Sequence, residues 1–332
     1  MNTKPVINIS GSKFARRLVN KIYLKDHGFA QKDLRWIPIN DILKYASEKM
    51  NMGISLDSTV ENTDIFFQHN IFSKEPTIKH STSLFKLRCS LNNKQRVKRK
   101  VKEINKHNWI IPQTINISDF ETLENGKYII KCGKGSWSVH AYVLEDITKF
   151  SLVDFQRLIS QTHIPANLID SVAIQKMLFK VKELGLKVLD MKSLGVINKE
   201  LFSDSIWDFY IEPYYEGLKE QRILILDDLY VHKYVDNGNQ SIEKLSETKS
   251  LSTKHIQEIT DFCNALKEKY IKWGFTSMDI SFTPEGEIVF HELGYGFDYS
   301  WYDYKALDIL FDDLKTAAHK FYQESLCVEN VE

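Results

Sequence analysis

Residues 275–296 read FTSMDISFTPEGEIVFHELGYG, a pattern that predicts two strands joined by a tight turn. The Pro-Glu-Gly sequence at 284–286 supplies the turn, because glycine tolerates the positive φ angle that a tight hairpin needs. With a two-residue loop at 285–286, Asp279 lies directly opposite Glu292 on one face of the hairpin. A β-bulge would break this pairing, and hairpins whose turn ends in glycine often contain one.

Two carboxylates that face each other offer the oxygen ligands that a divalent cation such as Mg²⁺ takes in proteins. The hairpin therefore carries a candidate metal site at Asp279 and Glu292. The alternative is that both side chains are ordinary polar residues on a solvated strand face. The hairpin sequence by itself leaves both interpretations open.

The composition is that of an ordinary globular protein, with 43% apolar and 27% charged residues among 332. A chain of this length can form about two or three domains with buried cores. The 44 Lys and Arg residues equal the 44 Asp and Glu residues, so net charge favours neither nucleic acid nor an anionic membrane as a partner. The four cysteines are scattered without a CxxC pair, which favours reduced thiols over a structural zinc site.

The first ten residues, MNTKPVINIS, lack the basic and apolar regions of a signal peptide. No stretch of the sequence approaches the roughly 18 consecutive apolar residues that form a membrane span. We therefore expect a cytoplasmic protein without a membrane partner.

Residues 5–92 predict a small α/β unit. Strands are expected at 6–9, 36–39 and 64–67, and helices at 14–22 and 41–50. Because strands alternate with helices along this segment, we expect the strands to form a parallel sheet.

A basic helix is predicted over residues 92–108, in which Val97, Val101 and Ile104 form a narrow apolar stripe. Its lysines and arginines form either a patch that binds a polyanion or a solvated helix face with one or two functional lysines. No aromatic residue interleaves with the charges, so stacking on bases has no support and we favour the solvated face.

Lys131 ends a predicted strand at 127–131 that leads into a Gly/Ser-containing loop at 132–139. Such a lysine and loop can clamp a phosphate, because the ammonium supplies a point charge and the backbone N–H groups close over the anion. Most loops of this composition are simply turns, so the segment alone leaves both interpretations open.

Further strands are predicted at 110–115, 206–212 and 221–227. A mainly helical segment is predicted at 150–205, and two more helices are predicted, one from Thr253 and one across 307–321.

In their order and spacing, these segments resemble the ATP-grasp superfamily over about residues 90–300. The resemblance is carried by Asn93-Lys94 before the basic helix, WIIPQT at 109–114, YIIK at 128–131 with its loop, FYIEPYYEG at 209–217, EQRILI at 220–225, and the hairpin. It implies an α/β protein with the ATP-grasp fold, an N-terminal Rossmann-like domain and a helical insertion. The expected domains are 1–92 (N-terminal α/β), 93–206 (small ATP-grasp subdomain with the insertion) and 207–332 (C-terminal subdomain with the metal site).

The resemblance also implies which residues bind ATP and Mg²⁺. The nucleotide-binding set is Lys94, Lys131, Gly135, Ser136, Glu212, Tyr214, Tyr215 and Glu216. In this set the two lysines bind the α- and β-phosphates, the hinge from Glu212 to Tyr215 borders the adenine between the two subdomains, and Glu216 meets the ribose hydroxyls. Arg222 is the implied catalytic residue at the γ-phosphate or acyl phosphate, and the implied Mg²⁺ ligands are Asp279 and Glu292.

Two departures from the family pattern affect the candidate site. The family's Glu-x-Asn metal motif becomes Glu292-Leu293-Gly294, so the Asn ligand is missing, and Cys132 stands where a proline is expected after the second lysine. His291 and Asp298 are the nearest candidates for a substitute ligand. We expect His291 to face away from Glu292, because neighbouring residues of a strand point to opposite faces.

The activity implied by the resemblance is ATP-dependent ligation of a carboxylate to an amine through an acyl phosphate, with release of ADP and phosphate. The expected partners are small-molecule or peptide carboxylate and amine substrates, and no nucleic acid. Three alternatives stay open: a kinase of the same fold acting on a polyol or inositol phosphate, a non-catalytic nucleotide-binding module, and a nucleic-acid binder that uses residues 94–106.

Overall fold

The computed structural model describes residues 6–10, 53–55, 65–68, 94–133, 141–161, 172–189, 209–234, 240–270, 276–294, 302, 305–313 and 315–316. The chain forms two compact units: the first unit comprises 1–91, 99–110 and 219–332, and the second unit comprises 92–98 and 111–218. None of the helices in the described ranges is long and apolar enough to cross a membrane.

The strands are β1 (Val6–Ser10), β2 (Gly53–Ser55), β3 (Ile65–Gln68), β4 (Ile115–Asn116), β5 (Tyr128–Cys132), β6 (Tyr142–Leu144), β7 (Leu186–Val188), β8 (Phe209–Pro213), β9 (Gln221–Ile225), β10 (Leu229–Tyr234), β11 (Gln240–Lys244), β12 (Thr276–Phe282) and β13 (Ile288–Gly294). The α-helices are α1 (Lys94–Ile104), α2 (Leu152–Gln161), α3 (Val172–Glu183), α4 (Thr253–Tyr270) and α5 (305–313).

The N-terminal strands form a parallel three-stranded sheet with β1 between β2 and β3. This arrangement confirms the parallel sheet that the alternating pattern of residues 5–92 predicts. The short strand β2 was not predicted. The predicted strand at 36–39 and the predicted helices at 14–22 and 41–50 lie outside the described residues.

The second unit contains an antiparallel five-stranded sheet in the order β4-β8-β5-β6-β7. Apolar residues of α2 and α3 pack with alternate residues of these strands in one core. Phe155 of α2 lies at the centre of this core, edge-on to Tyr142 and to Phe209 at ring-centroid distances of 5.6 and 5.3 Å. Because strand side chains alternate between faces, Lys131 of β5 and Glu212 of β8 lie on the face opposite this core.

The first unit contains a second antiparallel five-stranded sheet, in the order β11-β10-β9-β12-β13. Helix α4 begins after Ser252, whose hydroxyl accepts a hydrogen bond from the N–H of His255 at 3.2 Å, the contact that an N-cap residue makes. Phe262 of this helix packs near Phe290 of β13, with ring centroids 6.2 Å apart. The hairpin β12–β13 is therefore fixed against α4 by its apolar face.

The predicted strand at 110–115 is wrong over most of its length. Ile110 makes only an isolated bridge with Val289, and the regular strand begins at Ile115. Pro112 lies between them, and a proline has no N–H to donate to a strand ladder. Four short strands that lack a clear apolar alternation were also missed: β6, β7, β10 and β11.

Candidate functional site

The hairpin has a different turn from the one its sequence predicts, yet the predicted pairing is present. The N–H of Thr283 donates to the Glu287 carbonyl at 2.9 Å, which leaves a three-residue loop at 284–286. The last loop residue, Gly286, has a φ of 84°. If the strands continued in regular register from this three-residue loop, Asp279 would pair with His291 instead of Glu292. The longer loop shifts every partner on β13 by one residue relative to the two-residue loop.

A β-bulge corrects this register. Ile280 pairs with Phe290, whereas Asp279 pairs with Glu292, so His291 is the extra residue on β13. The two-residue loop was therefore wrong, and the bulge does not break the pairing of the two carboxylates but produces it. The longer loop shifts the partner of Asp279 from Glu292 to His291, and the extra residue at the bulge shifts it back to Glu292.

Three charged residues lie side by side on this face, one on each of three neighbouring strands. Asp279 of β12 pairs in register with Arg222 of β9 on one side and with Glu292 of β13 on the other. The Arg222 guanidinium donates two hydrogen bonds to the Asp279 carboxylate, from Nε at 2.7 Å and from Nη2 at 2.8 Å. The Asp279 side chain is only 6% exposed, whereas that of Arg222 keeps 43% of its exposure.

The charges of Asp279 and Glu292 both act on the guanidinium of Arg222. Burial by itself lowers the pKa of Arg222, but the hydrogen bonds and charge of Asp279 outweigh burial and raise the pKa above its usual value. The charge of Glu292 adds to this rise. The guanidinium therefore stays charged, and it partly neutralises a pair of carboxylates that would otherwise repel each other.

His291 lies on the same face as Glu292, so the expectation that it faces away is wrong. Its Nε2 is 2.7 Å from the hydroxyl of Ser281. Ser281 lies two residues after Asp279 on β12 and therefore shares its face. The bulge is the reason, because both residues of a bulge lie opposite a single residue of the partner strand. The other candidate substitute ligand, Asp298, lies outside the described residues.

The donor set at this face fits Mg²⁺. Within the described ranges no cluster of three or more His, Cys, Asp or Glu side chains could hold a metal, so Asp279 and Glu292 would act as a pair. Mg²⁺ typically takes one or two carboxylates and completes its shell with water and phosphate oxygens. Each carboxylate oxygen of Asp279 that accepts from Arg222 still has a second lone pair for such an ion.

A second cluster, in the second unit, consists of one buried carboxylate between two lysines. Glu212 of β8 accepts hydrogen bonds from Lys98 of α1 and from Lys131 of β5, the latter at 2.5 Å. Lys98 and Glu212 are each 2% exposed, and Lys131 is 20% exposed. We call Lys98, Lys131 and Glu212 the lysine cluster.

The lysine cluster has an excess of positive charge. Burial lowers the pKa of Lys98 to about 8, the charge of Glu212 opposes this change, and the charges of Lys131 and Lys94 add to it. Burial would raise the pKa of Glu212, but the charges of Lys131 and Lys98 outweigh it and lower the pKa. Two ammonium groups thus contact one ionised carboxylate, and Lys94 adds a third positive charge that acts on Lys98. A net positive charge of this kind attracts anions.

Of the lysines of α1, Lys94 was the one predicted to bind ATP phosphates, whereas Lys98 was considered only as part of a basic patch for a polyanionic kinase substrate. Lys94 is the first residue of α1, and its N–H donates to the carbonyl of Gly133 at 3.3 Å. Lys98 lies four residues later and therefore on the same helix face. It also adjoins the apolar stripe of Val97 and Val101, but the basic residues all around α1 gave no sign that Lys98 in particular is buried.

Three of the remaining predicted nucleotide residues directly follow β8: Tyr214, Tyr215 and Glu216. Glu216 pairs with Lys127 on the surface, where the two side chains are 61% and 55% exposed, and it is not part of the lysine cluster. The N–H of Tyr214 donates to the Lys127 carbonyl at 2.9 Å, and Tyr214 and Tyr215 are both half-buried. Gly135 and Ser136 lie outside the described residues.

Comparison with known proteins shows similarity only at the level of three-dimensional structure. No family model and no curated protein matches the sequence. Among solved structures, D-alanyl-alanine synthetase A from Vibrio cholerae O1 biovar eltor aligns with a TM-score of 0.53 at 12% identity, over 98% of this chain and 99% of that one. D-cycloserine synthetase DcsG aligns with a TM-score of 0.52 at 9% identity, over 96% and 99%. The chain has the ATP-grasp fold, which confirms the predicted fold class.

Proposed function

We propose that this protein is an ATP-dependent ligase that joins a carboxylate to an amine through an acyl phosphate and releases ADP and phosphate. The observation that carries the proposal is the lysine cluster, a buried excess of positive charge in a chain of the ATP-grasp fold. The two aligned proteins are named as a D-alanyl-alanine synthetase and a D-cycloserine synthetase, which supports ligation of small amine and carboxylate substrates.

In this proposal the lysine cluster and the neighbouring Lys94 bind the α- and β-phosphates of ATP. Lys94, Lys98 and Lys131 supply the positive charge, and Glu212 orients the two buried ammonium groups by accepting their hydrogen bonds. The remaining nucleotide contacts are proposed for Gly135, Ser136, Tyr214, Tyr215 and Glu216. Glu216 would have to exchange its surface partner Lys127 for a ribose hydroxyl, which costs little because exposed ion pairs contribute little stability.

The charged row on β9, β12 and β13 would act on the transferred phosphoryl group. Asp279 and Glu292 would hold Mg²⁺, which supplies charge neutralisation at the β- and γ-phosphates. Arg222 would donate hydrogen bonds to the transferred phosphoryl group and keep Asp279 in place by its bidentate contact. A substrate carboxylate attacks the γ-phosphorus and ADP leaves; the amine then attacks the acyl carbon and phosphate leaves.

Two observations favour a second candidate, a nucleotide-binding module without turnover. Both oxygens of Asp279 accept hydrogen bonds from Arg222, and position 294 has no side chain to complete a Glu-x-Asn motif. Binding of Mg²⁺ and ATP without ADP formation, over a broad panel of carboxylate and amine pairs, would support this candidate over the ligase.

Substitution of the two carboxylates tests the ligase proposal. Asp279→Asn and Glu292→Gln should abolish Mg²⁺-dependent ADP formation, measured with amino acids and dipeptides as carboxylate and amine donors. Glu285→Gln is the matched control, because Glu285 is an exposed carboxylate in the turn of the same hairpin. Circular dichroism should show the same fold in all variants. Full activity of both Asp279→Asn and Glu292→Gln would refute the assignment of these residues.

A further inference from the structure

A side chain at position 294 would collide with the Ser277 hydroxyl as the structure places it. Gly294 of β13 lies directly opposite Ser277 of β12. A Cβ atom added to Gly294 would overlap the Ser277 hydroxyl and would lie 3.5 Å from the Ser277 Cβ. Gly294 does not have the positive φ that requires glycine, since Gly185, Gly217 and Gly286 are the glycines with this conformation in the described ranges. The serine hydroxyl therefore occupies the volume where a side chain at 294 would begin.

The Ser277 hydroxyl lies on the face that carries the two carboxylates. Alternate residues of a strand share a face, so Ser277 and Asp279 point to the same side of β12. On β13, position 294 likewise lies on the same face as Glu292, two residues before it. The Ser277 residue is 2% exposed, so its hydroxyl is held in a buried environment next to the charged row.

The backbone around this hydroxyl is held in place from the neighbouring strand. The hydroxyl of Thr276 donates a hydrogen bond to the carbonyl of Gly294. This bond links β12 to the end of β13 beside the Ser277–Gly294 pair. The close approach of Ser277 to position 294 is therefore a feature of two strands that are bonded to each other at this point.

We propose that Ser277 supplies the neutral oxygen of the Mg²⁺–nucleotide site, in contact with the cation or with one of its bound waters. Gly294 of β13 has no side chain to offer a polar group. Ser277, directly opposite it on β12, offers its hydroxyl instead. A hydroxyl suits this role, because it offers lone pairs to a cation and one proton to a phosphate or carboxylate oxygen. This inference rests on the proposed function and adds a ligand to its metal site.

A purely steric role for Ser277 makes a different prediction from a ligand role. A spacer can be replaced by alanine without loss of metal affinity, because alanine leaves more room at position 294. A ligand cannot, because alanine removes the oxygen. An asparagine at 294 would compensate for that loss only if an oxygen at this place contributes to the site.

The test measures binding of Mn²⁺, as a spectroscopic substitute for Mg²⁺, to the full chain in the presence of ADP by electron paramagnetic resonance. We expect Ser277→Ala to weaken Mn²⁺ binding about tenfold, the lower end of the effect of losing an outer-shell partner of a metal site. The double variant Ser277→Ala with Gly294→Asn should recover most of this loss. Thermal unfolding of each variant shows whether it is folded.

Ser281→Ala is the matched control. Ser281 is a fully buried serine on the same strand face, and its hydroxyl is bonded to His291 Nε2. We expect Ser281→Ala to leave Mn²⁺ affinity unchanged. A loss in Ser281→Ala but not in Ser277→Ala would identify the Ser281–His291 pair as the substitute and overturn the inference.

The outcomes separate the inference from the proposed function. If the unaltered chain binds Mn²⁺ with ADP and Asp279→Asn abolishes binding, but Ser277→Ala binds normally, the inference is wrong and the function stands. If the unaltered chain binds neither ADP nor Mn²⁺, the proposed function is wrong and the inference fails with it.

Discussion

At the residue scale, Glu212 and Glu216 both pair with lysine but differ in burial. Glu212 contacts Lys98 and Lys131 in a buried environment, whereas Glu216 contacts Lys127 at the surface. A buried carboxylate between two ammonium groups is hard to replace, because its loss leaves positive charges unpaired and away from water. A surface pair is screened by solvent and has no such role.

Glu212→Gln should therefore destabilise the protein strongly even without nucleotide. We expect a loss of about 3–5 kcal/mol in the free energy of unfolding, as for other broken buried ion pairs. Urea unfolding followed by circular dichroism measures this change. Glu216→Gln is the matched control and should unfold at the same urea concentration as the unaltered protein. Equal stability of both variants would show that the lysine cluster does not need its carboxylate.

The lowered pKa of Lys98 predicts that nucleotide affinity depends on pH. Below its pKa of about 8, the Lys98 ammonium is protonated and attracts phosphate. Above that pH the charge is lost, so ADP should bind more weakly as the pH rises from 7 to 9.

The effect of Lys98 on folding has the opposite sign. Its pKa in the unfolded chain is near 10.5, so the unfolded chain binds this proton more tightly than the folded one does. Lys98 therefore makes the folded protein more stable as the pH rises above 8.

Isothermal titration with ADP between pH 7 and 9 checks this dependence. Lys98→Met should bind ADP more weakly at pH 7 and should show a flatter pH profile, because it has no proton to lose at this position. A profile for the unaltered protein that is flat across this range would contradict a role for Lys98 in phosphate binding.

At the element scale, the turn of the hairpin β12–β13 depends on one glycine, Gly286. Gly286 has a φ of 84°, and a Cβ there would make only an ordinary contact of 3.7 Å with His255 Nε2. The cost of a side chain at 286 is therefore a backbone cost. His255 of α4 also lies 2.9 Å from the Gly286 carbonyl, so the turn is held by the helix and cannot relax freely.

Gly286→Ala should lower the free energy of unfolding by about 1–2 kcal/mol, which is the usual penalty of a left-handed conformation. Gly286→Asn should cost less, because asparagine tolerates this conformation better than alanine does. Thermal unfolding of the two variants measures the difference. The explanation by backbone strain fails if asparagine is as harmful as alanine.

At the scale of the whole molecule, the candidate residues are distributed over both compact units. The lysine cluster belongs to the second unit, and Arg222, Asp279 and Glu292 belong to the first. The division into three domains, with boundaries at 92/93 and 206/207, remains a prediction from the sequence.

If one Mg²⁺–nucleotide engages both sets of residues, ADP with Mg²⁺ should slow hydrogen exchange in both units. We expect protection in peptides that contain Lys131 and in peptides of the hairpin, measured by mass spectrometry. In Asp279→Asn the hairpin peptides should lose this protection, because the metal is no longer held. Protection confined to one unit in the unaltered protein would show that one of the two site assignments is wrong.

The sequence by itself determined many of the elements and their order, although it missed five short strands. Buried strands such as β8 and β9, the basic helix α1 and the capped helix α4 follow from apolar spacing and local capping, which act over a few residues. Their order was enough to predict the ATP-grasp fold. It also placed Lys131, Arg222, Asp279 and Glu292 on strands, where the structure has them.

Only the tertiary structure decided which side chains meet. Lys98 and Glu212 are 114 residues apart in sequence, and no local pattern identifies a lysine as the buried partner of a distant glutamate. The pairing of Asp279 with Glu292 depends on a bulge at His291, which the alternation of the sequence does not show. A side chain at position 294 would collide with the hydroxyl of Ser277 on the next strand. These features depend on the register between strands and on packing across the fold, and both are set by contacts between residues far apart in the chain.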